Sequence, residues 1–278
     1  MRGLKYTSIK KGGIIMLAAR CEVTESRIIQ FPIEKKEENK KGRTFKTTGK
    51  STKMQCLHDK EEIVLLYDTF KKYVEEAGTL AKTRTARRNL TMFICAINIG
   101  LRGGDFCSLK WSDIFNDDWT FNHEADYVPQ KTIKYAENGE IIKCKHIELS
   151  WGSDFETVLS AWLEWKNKYD RKQSLNDYIF DSQKGGHIDS KAWYKIVEKT
   201  RKEAGIQQKI GTHGLRKTMV NQYIKNSDDK GLALIEMQNM LGHSDIRITQ
   251  RYACLEKEHV KQVKEKMSLF QEDMLCSM

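Results

Sequence analysis

The sequence predicts a mainly α fold with a small antiparallel β-sheet, an α+β protein, and three observations carry that reading. Apolar residues recur at helical spacing through most of the chain after residue 59, which is the pattern of helices that bury one face. Proline occurs only at Pro32 and Pro129, so few helices are interrupted by a missing N–H. One segment, 127–149, departs from the helical period and reads as two strands turned at Asn138-Gly139.

The first helix is expected over "DKEEIVLLYDTFKKYVEEAG" at 59–78, with Asp59 as N-cap, Glu61 and Glu62 in the first turn and Gly78 as the stop. Ile63, Leu66, Tyr67, Phe70, Tyr73 and Val74 fall on one face of it. A second helix is expected from about Thr83 to Ile99, ended by Gly100, with "LRGGDFCSLKW" opening the next. In the hairpin, YVPQKTIKY forms the first strand and IIKCKHIEL the second. Residues 155–169 are helical again, and "DYIF" at 177–180 is a short strand or extended piece. Helices follow at about 190–204, 213–225, 231–241 and 245–252, with a last one at about 256–272. In that last segment Val260, Val263, Met267 and Phe270 make one apolar stripe.

The 278 residues suffice for one large domain or two small ones. No apolar run approaches the ~18 residues of a membrane span, and the N-terminus lacks the apolar core of a secretory signal. The seven cysteines (Cys21, Cys56, Cys95, Cys107, Cys144, Cys254 and Cys276) are odd in number and contain no C-x-x-C pair. That argues against a disulfide framework and a cysteine zinc site, and for a cytoplasmic protein. The net charge is +10, but its distribution is uneven: residues 1–53 carry fourteen Lys/Arg against five Glu. Such an arm suits a phosphate backbone. Residues 34–53 are too polar to offset the entropy of ordering and read as linker or disordered chain. The expected division is therefore a basic, partly disordered arm over 1–54 and a folded domain over 55–278. "KKGGIIM" at 10–16 also raises the expectation that translation starts at Met16.

Several polar positions read singly as ordinary. Arg102 is a surface arginine at a helix start, Lys131 a strand lysine facing solvent, and His243 a residue near a helix cap. His213 and Arg216, three apart in "THGLRKT", share a helical face. Tyr252, nine residues after His243, is a half-buried aromatic. Their order changes the reading. "GLRGGDFCSLKWSDI", Lys131 in "QKT", "THGLRKT" and "IEMQNMLGHSDIRITQRYA" follow one another in the order of the motifs of the tyrosine recombinases, or phage integrase family. The chain over roughly 55–275 closely resembles that family's catalytic domain. Lys134, Lys143 and Lys145 lie in the same hairpin, and Lys131 is preferred because "QKT" stands where the family places its strand lysine. Asp105 matches an acidic position three residues after the first arginine.

The resemblance implies site-specific recombination of a phage or mobile element on double-stranded DNA. Tyr252 would attack a phosphodiester and form a 3′-phosphotyrosyl link. A phenol has an ordinary pKa near ~10, so the nucleophile needs help at neutral pH. Arg102 and Arg216 would hold the non-bridging oxygens with planar donors, and His243 would add a hydrogen bond. Lys131 would protonate the departing 5′-oxygen, His213 would take the tyrosine proton or orient the phosphate, and Asp105 would support its neighbours. No metal-ligand motif and no phosphate-binding glycine loop occurs, so no metal or cofactor is expected. The resemblance also implies a homotetramer on paired sites and a C-terminal helix that docks on a neighbouring protomer.

Family members usually carry a separate helical core-binding domain before the catalytic one, and no such domain fits the residues before 55. A DNA-bending or core-binding partner is therefore expected. The alternative reading is a non-catalytic or truncated relative that binds recombination sites and modulates a full-length recombinase. A type IB topoisomerase is a third, disfavoured by the spacing of the last motif. If the arm contacts phosphates, DNA affinity falls steeply between about 50 and 200 mM salt, and neutralising the arm lysines flattens that slope. Fluorescence-anisotropy titrations across the salt series measure both.

Overall fold

The structure, a computed structural model, describes residues 54–253. The arm is thus outside the described residues up to Lys53, as is the helix expected at 256–272 with its apolar stripe. The described elements run α1 (Lys60–Glu75), α2 (Leu80–Ile99), α3 (Gly103–Cys107), β1 (Asp126–Tyr127), β2 (Lys134–Tyr135), β3 (Ile141–Lys143), β4 (Ile147–Glu148), α4 (Ser153–Tyr169), α5 (Ser190–Glu203), α6 (Thr212–Asn226), α7 (Lys230–Met240) and α8 (Ile246–Ala253). The predicted class, mainly helical with a little antiparallel sheet, is what the chain forms. Among the described residues no helix is long and apolar enough to cross a membrane.

Local chemistry sets the element ends. α2 begins three residues before the expected Thr83, because the Thr79 hydroxyl accepts the Lys82 N–H and caps the helix there. Gly100 then ends α2 in the left-handed region, at φ 65°, where a side chain is disfavoured. Asp59 occupies the N-cap position of α1 but makes no side-chain cap bond; instead Glu62 reaches back to the His58 N–H at 3.1 Å. On the predicted apolar face of α1, Leu66 and Phe70 are buried while Tyr67 remains 37% exposed.

The hairpin differs from its sequence reading. Its tip forms as expected, with Gly139 at φ 85° and β2 paired to β3. A second ladder pairs β1 with β4, in the register Asp126↔Glu148 and Tyr127↔Ile147. Between the ladders the first strand is broken by a 3₁₀ turn at Gln130–Thr132, and Lys131 sits in that turn rather than in a strand. Pro129 has no N–H to give a ladder, and the Gln130 N–H is taken by the Asp105 carboxylate at 2.9 Å. "DYIF" likewise contributes only a single bridge, Lys110↔Tyr178.

The main core stacks Phe70 on Phe93 and Trp193, with ring centroids 5.3 and 6.1 Å apart. A second cluster joins Met219, Val220, Ile224, Ala233, Met237, Leu241 and Ala253, and Tyr252 packs against it. α6 has apolar contacts in both clusters, through Leu215 and Val220, so it is buried around most of its girth and fixes whatever polar groups it carries. Segment 54–58 is pinned to it by Leu57 N–H to Thr218 Oγ1 at 2.9 Å and by Lys217 Nζ to the Met54 carbonyl at 2.8 Å. A Cβ on Gly214 would stand 2.5 Å from the Gln55 carbonyl oxygen. Gly214→Ala, although it improves helix propensity, is expected to destabilise the protein by about 1–3 kcal/mol through that overlap. A urea melt measures it.

Candidate active site

Arg216 is the centre of the site. Its residue is 1% exposed, and its guanidinium donates from Nη1 to the Gly100 carbonyl at 2.5 Å and from Nη2 to the Leu241 carbonyl at 3.2 Å. Those carbonyls belong to the C-caps of α2 and α7, the negative ends of two helix dipoles. The cation therefore satisfies two chain ends that also define the first and third motifs. Among the described residues it has no salt-bridged carboxylate, and its Nε is buried without a hydrogen-bond partner. Burial lowers its pKa to about 10, opposed mainly by the nearby Tyr252, so it is charged at neutral pH.

His243 is 8% exposed. Its Nε2 lies 3.3 Å from Arg216 Nη2 and its Nδ1 lies 2.9 Å from Thr249 Oγ1. A guanidinium can only donate, so Nε2 accepts and Nδ1–H donates to Thr249. Burial, then the charges of Arg216, Arg102, His213 and Lys145, lower its pKa to about 4. His213 is an exposed residue whose ring is nonetheless partly desolvated by its neighbours. The burial of its ring and then the cations Lys217, Arg216, Arg102 and Lys131 lower its pKa as well. Both imidazoles are neutral at physiological pH.

Tyr252 lies between them. Its ring meets His213 edge-on at 4.8 Å and His243 at 4.9 Å, with the Arg216 guanidinium and the Lys217 ammonium each 5.8 Å from its centroid. α8 delivers it. Asp245 accepts the Arg247 N–H at 2.9 Å as the helix opens. Thr249, Tyr252 and Ala253 then share a face toward α6, where Asn221 Nδ2 donates to the Ala253 carbonyl at 2.6 Å.

The remaining expected residues arrive from the other side. Arg102 is the N-cap residue of α3. Its side chain makes no hydrogen bond or ion pair among the described residues, yet its charge acts on Asp105, His213, Arg216 and His243. Asp105 is 3% exposed, and burial raises its carboxyl pKa against the pull of the Gln130 N–H, Arg102 and Arg216. Its carboxylate holds the turn that carries Lys131 rather than facing the tyrosine. Lys131 is exposed, and its charge acts on His213. Lys145, joined to the same turn through Thr132, donates from Nζ to the Gly242 carbonyl at 2.8 Å. Lys134 and Lys143 face each other in the ladder instead.

The structure thus gathers Arg102, His213, Arg216, His243 and Tyr252, with Lys131 and Asp105 beside them. Sequence reasoning missed Thr249, Lys217 and Asn221. Thr249 left one trace, a polar residue three before Tyr252 on the helical face of the tyrosine.

The profile of the phage integrase family matches residues 58–259. The chain belongs to the phage integrase family. Tyrosine recombinase XerD of Listeria monocytogenes serotype 4b (strain F2365) is 28% identical to it over 201 residues, 72% of this chain and 60% of that protein. XerD of Listeria innocua serovar 6a (strain ATCC BAA-680 / CLIP 11262) is 33% identical over the same coverage. The chain therefore spans 60% of the length of these relatives. In fold it is similar to the crystal structure of XerA recombinase, at TM-score 0.52 and 19% identity over 80% of this chain and 67% of that one. It is similar also to XerH site-specific recombinase bound to palindromic difH substrate in a post-cleavage complex, at TM-score 0.51 and 22% identity over 76% of this chain and 53% of that one. The family's mixed helical fold is the one found here.

The depressed His243 pKa has a stability consequence. The unfolded imidazole titrates near ~6.5, above the folded value of about 4. The unfolded chain therefore binds more protons between those values. Stability is full above about pH 6.5 and is lost as pH falls toward 4, by about 3 kcal/mol for this group. Asp105, with its raised pKa, works in the opposite sense, so the comparison is with His243→Gln. That variant should show a shallower loss of urea midpoint between pH 6.5 and 4.

Proposed function

We propose that this chain carries out site-specific DNA recombination, with Tyr252 as the nucleophile of a 3′-phosphotyrosyl intermediate. The observation that carries it is the buried Arg216 guanidinium, which has no salt-bridged carboxylate among the described residues and lies in a group of cations, Arg102, Lys131 and Lys217, around a tyrosine. Such a site favours an anion, and guanidinium groups with planar paired donors suit the non-bridging oxygens of a phosphodiester.

In this reading the Tyr252 oxygen attacks phosphorus, the bond to the 5′-oxygen breaks, and a bond from tyrosine to the 3′-phosphate replaces it. His213, neutral at working pH, accepts the phenolic proton. Lys131 gives a proton to the departing 5′-oxygen, with Asp105 positioning its turn. Arg102 and Arg216 stabilise the charge that builds on the non-bridging oxygens. His243 adds a donor when the incoming phosphate takes the Arg216 Nη2–H that Nε2 otherwise accepts; Nε2 can then carry the proton, with the Thr249 hydroxyl donating to Nδ1. Attack by a 5′-hydroxyl reverses the steps, so the bond energy is conserved and no nucleotide is consumed.

We infer further that the DNA belongs to a phage or mobile element and that four copies act on paired sites; the order of sequence motifs supports the first. A second reading, a recombinase of the XerD kind, is supported by the 28–33% identity to those proteins. The silent-relative reading is supported by the chain's partial span of them.

One experiment separates the three. Nicked duplexes taken from the element's ends and from candidate chromosomal sites are incubated with protein in EDTA and resolved on a denaturing gel. The expected outcome is a protein–DNA adduct on element ends that is absent with Tyr252→Phe. Arg216→Ala is expected to slow its formation about a hundredfold or more, the cost of about 3 kcal/mol of transition-state stabilisation. Adducts confined to chromosomal sites favour the XerD-like reading. Binding without any adduct favours the silent relative.

A further inference from the structure

Of the described cysteines, Cys56, Cys95 and Cys107 are buried and only Cys144 reaches solvent. Burial raises the Cys95 and Cys107 pKa values, that of Cys107 to about 12, which keeps both as inert thiols. Cys144 is placed differently. Its Sγ lies 3.3 Å from His146 Nε2, and His146 Nδ1 is hydrogen-bonded in turn to the Asp126 carboxylate. A carboxylate accepts from Nδ1–H, which leaves the Nε2 lone pair facing the thiol. A nucleophile, a base within reach and a group orienting the base form the arrangement that activates a sulfur for attack. None of the three side chains takes part in the site around Tyr252.

We propose that Cys144, His146 and Asp126 form a thiol-modification site that takes small disulfides. His146 Nε2 accepts the Cys144 proton, and the sulfur attacks one sulfur of a low-molecular-weight disulfide. A bond from Cys144 to that sulfur forms, the disulfide bond breaks, and the departing thiolate takes the proton from His146. The balance is one thiol and one disulfide in, one mixed disulfide and one thiol out, with no further oxidant.

The position of the site gives the modification a consequence. Cys144 lies between β3 and Lys145, and Lys145 is bound to the third motif through the Gly242 carbonyl. The Lys145 backbone also exchanges contacts with the Thr132 hydroxyl, 3.3 Å from both its N–H and its carbonyl. Thr132 ends the turn that carries Lys131. A group added to Cys144 displaces the adjoining Lys145 and, through Thr132, the turn that carries Lys131, and so disturbs the placement of both. This last step rests on the proposed DNA reaction; the thiol chemistry does not.

The test uses the full chain and 2-hydroxyethyl disulfide as the probe, with modification of the Cys144 peptide followed by mass spectrometry. Cys144 is expected to react faster than a free cysteine peptide, and His146→Gln to slow it about tenfold or more, with Asp126→Asn slower than the parent. A Cys144 rate equal to the free peptide's, or unchanged by His146→Gln, overturns the proposal. Treated parent is then assayed for adduct formation on the nicked duplex. It should lose most of its activity and regain it with dithiothreitol, whereas Cys144→Ser should be untouched by treatment. Full activity with Cys144 blocked, or equal loss in Cys144→Ser, overturns the coupling to the lysines. Untreated parent that forms no adduct contradicts the functional reading instead, while the peptide kinetics still decide the thiol.

Discussion

A guanidinium taken out of water loses several kcal/mol of hydration unless its donors are met, and the arrangement around Arg216 follows from meeting them. Two of its nitrogens turn to the carbonyls of Gly100 and Leu241, which close α2 and α7. Each helix end would otherwise be left with an orphan acceptor. The left-handed turn at Gly100 aims its carbonyl inward, and Met219, one turn beyond Arg216 on α6, packs so closely against Gly100 that a Cβ there would meet its Cε at 2.4 Å. Three segments far apart in sequence are thereby locked about one cation. The charge itself is left without a salt-bridged carboxylate among the described residues, Asp105 acting on it only through space, and an incoming anion is the natural complement.

Around that cation the aromatic groups are held in a neutral, closely packed state. Two histidines with lowered pKa values flank Tyr252 edge-on, so neither adds to the positive charge already present. Neutral rings can accept or give a proton, whereas imidazolium could only give one. Thr249 matters because its hydroxyl accepts the Nδ1–H that the Arg216 contact at Nε2 requires. Its place on α8, one turn before the tyrosine, means that the helix presenting Tyr252 also sets the protonation of the neighbouring imidazole.

The hairpin region is the site's adjustable flank. It reaches the rigid part through three polar links: Asp105 to Gln130, Thr132 to Lys145, and Lys145 to Gly242. Ladders only two or three residues long give little stability of their own, so these links determine where the lysines stand. Cys144, His146 and Asp126 occupy the outer side of the same flank, within a few residues of each link. The proposed thiol chemistry and the proposed phosphodiester chemistry would share a stretch of backbone, although they would share no side chain.

The sequence by itself determined the fold class, most helix positions and the identities of the residues that gather at the site. Helical periodicity, capping residues such as Thr79 and glycines such as Gly100 act over a few neighbours, and motif order survives in a linear reading. It did not determine where Lys131 stands, because the turn at Gln130–Thr132 exists only once Asp105, twenty-five residues earlier, takes an N–H that the strand would have used. Nor did it reveal Thr249, Lys217 or the relay at Cys144, where the acid is eighteen residues away along the chain and joined only by the pairing of β1 with β4. Tertiary structure alone decided that Arg216 would be buried with two helix ends as its partners. A polar side chain's surroundings depend on which segments close around it, and those contacts are non-local.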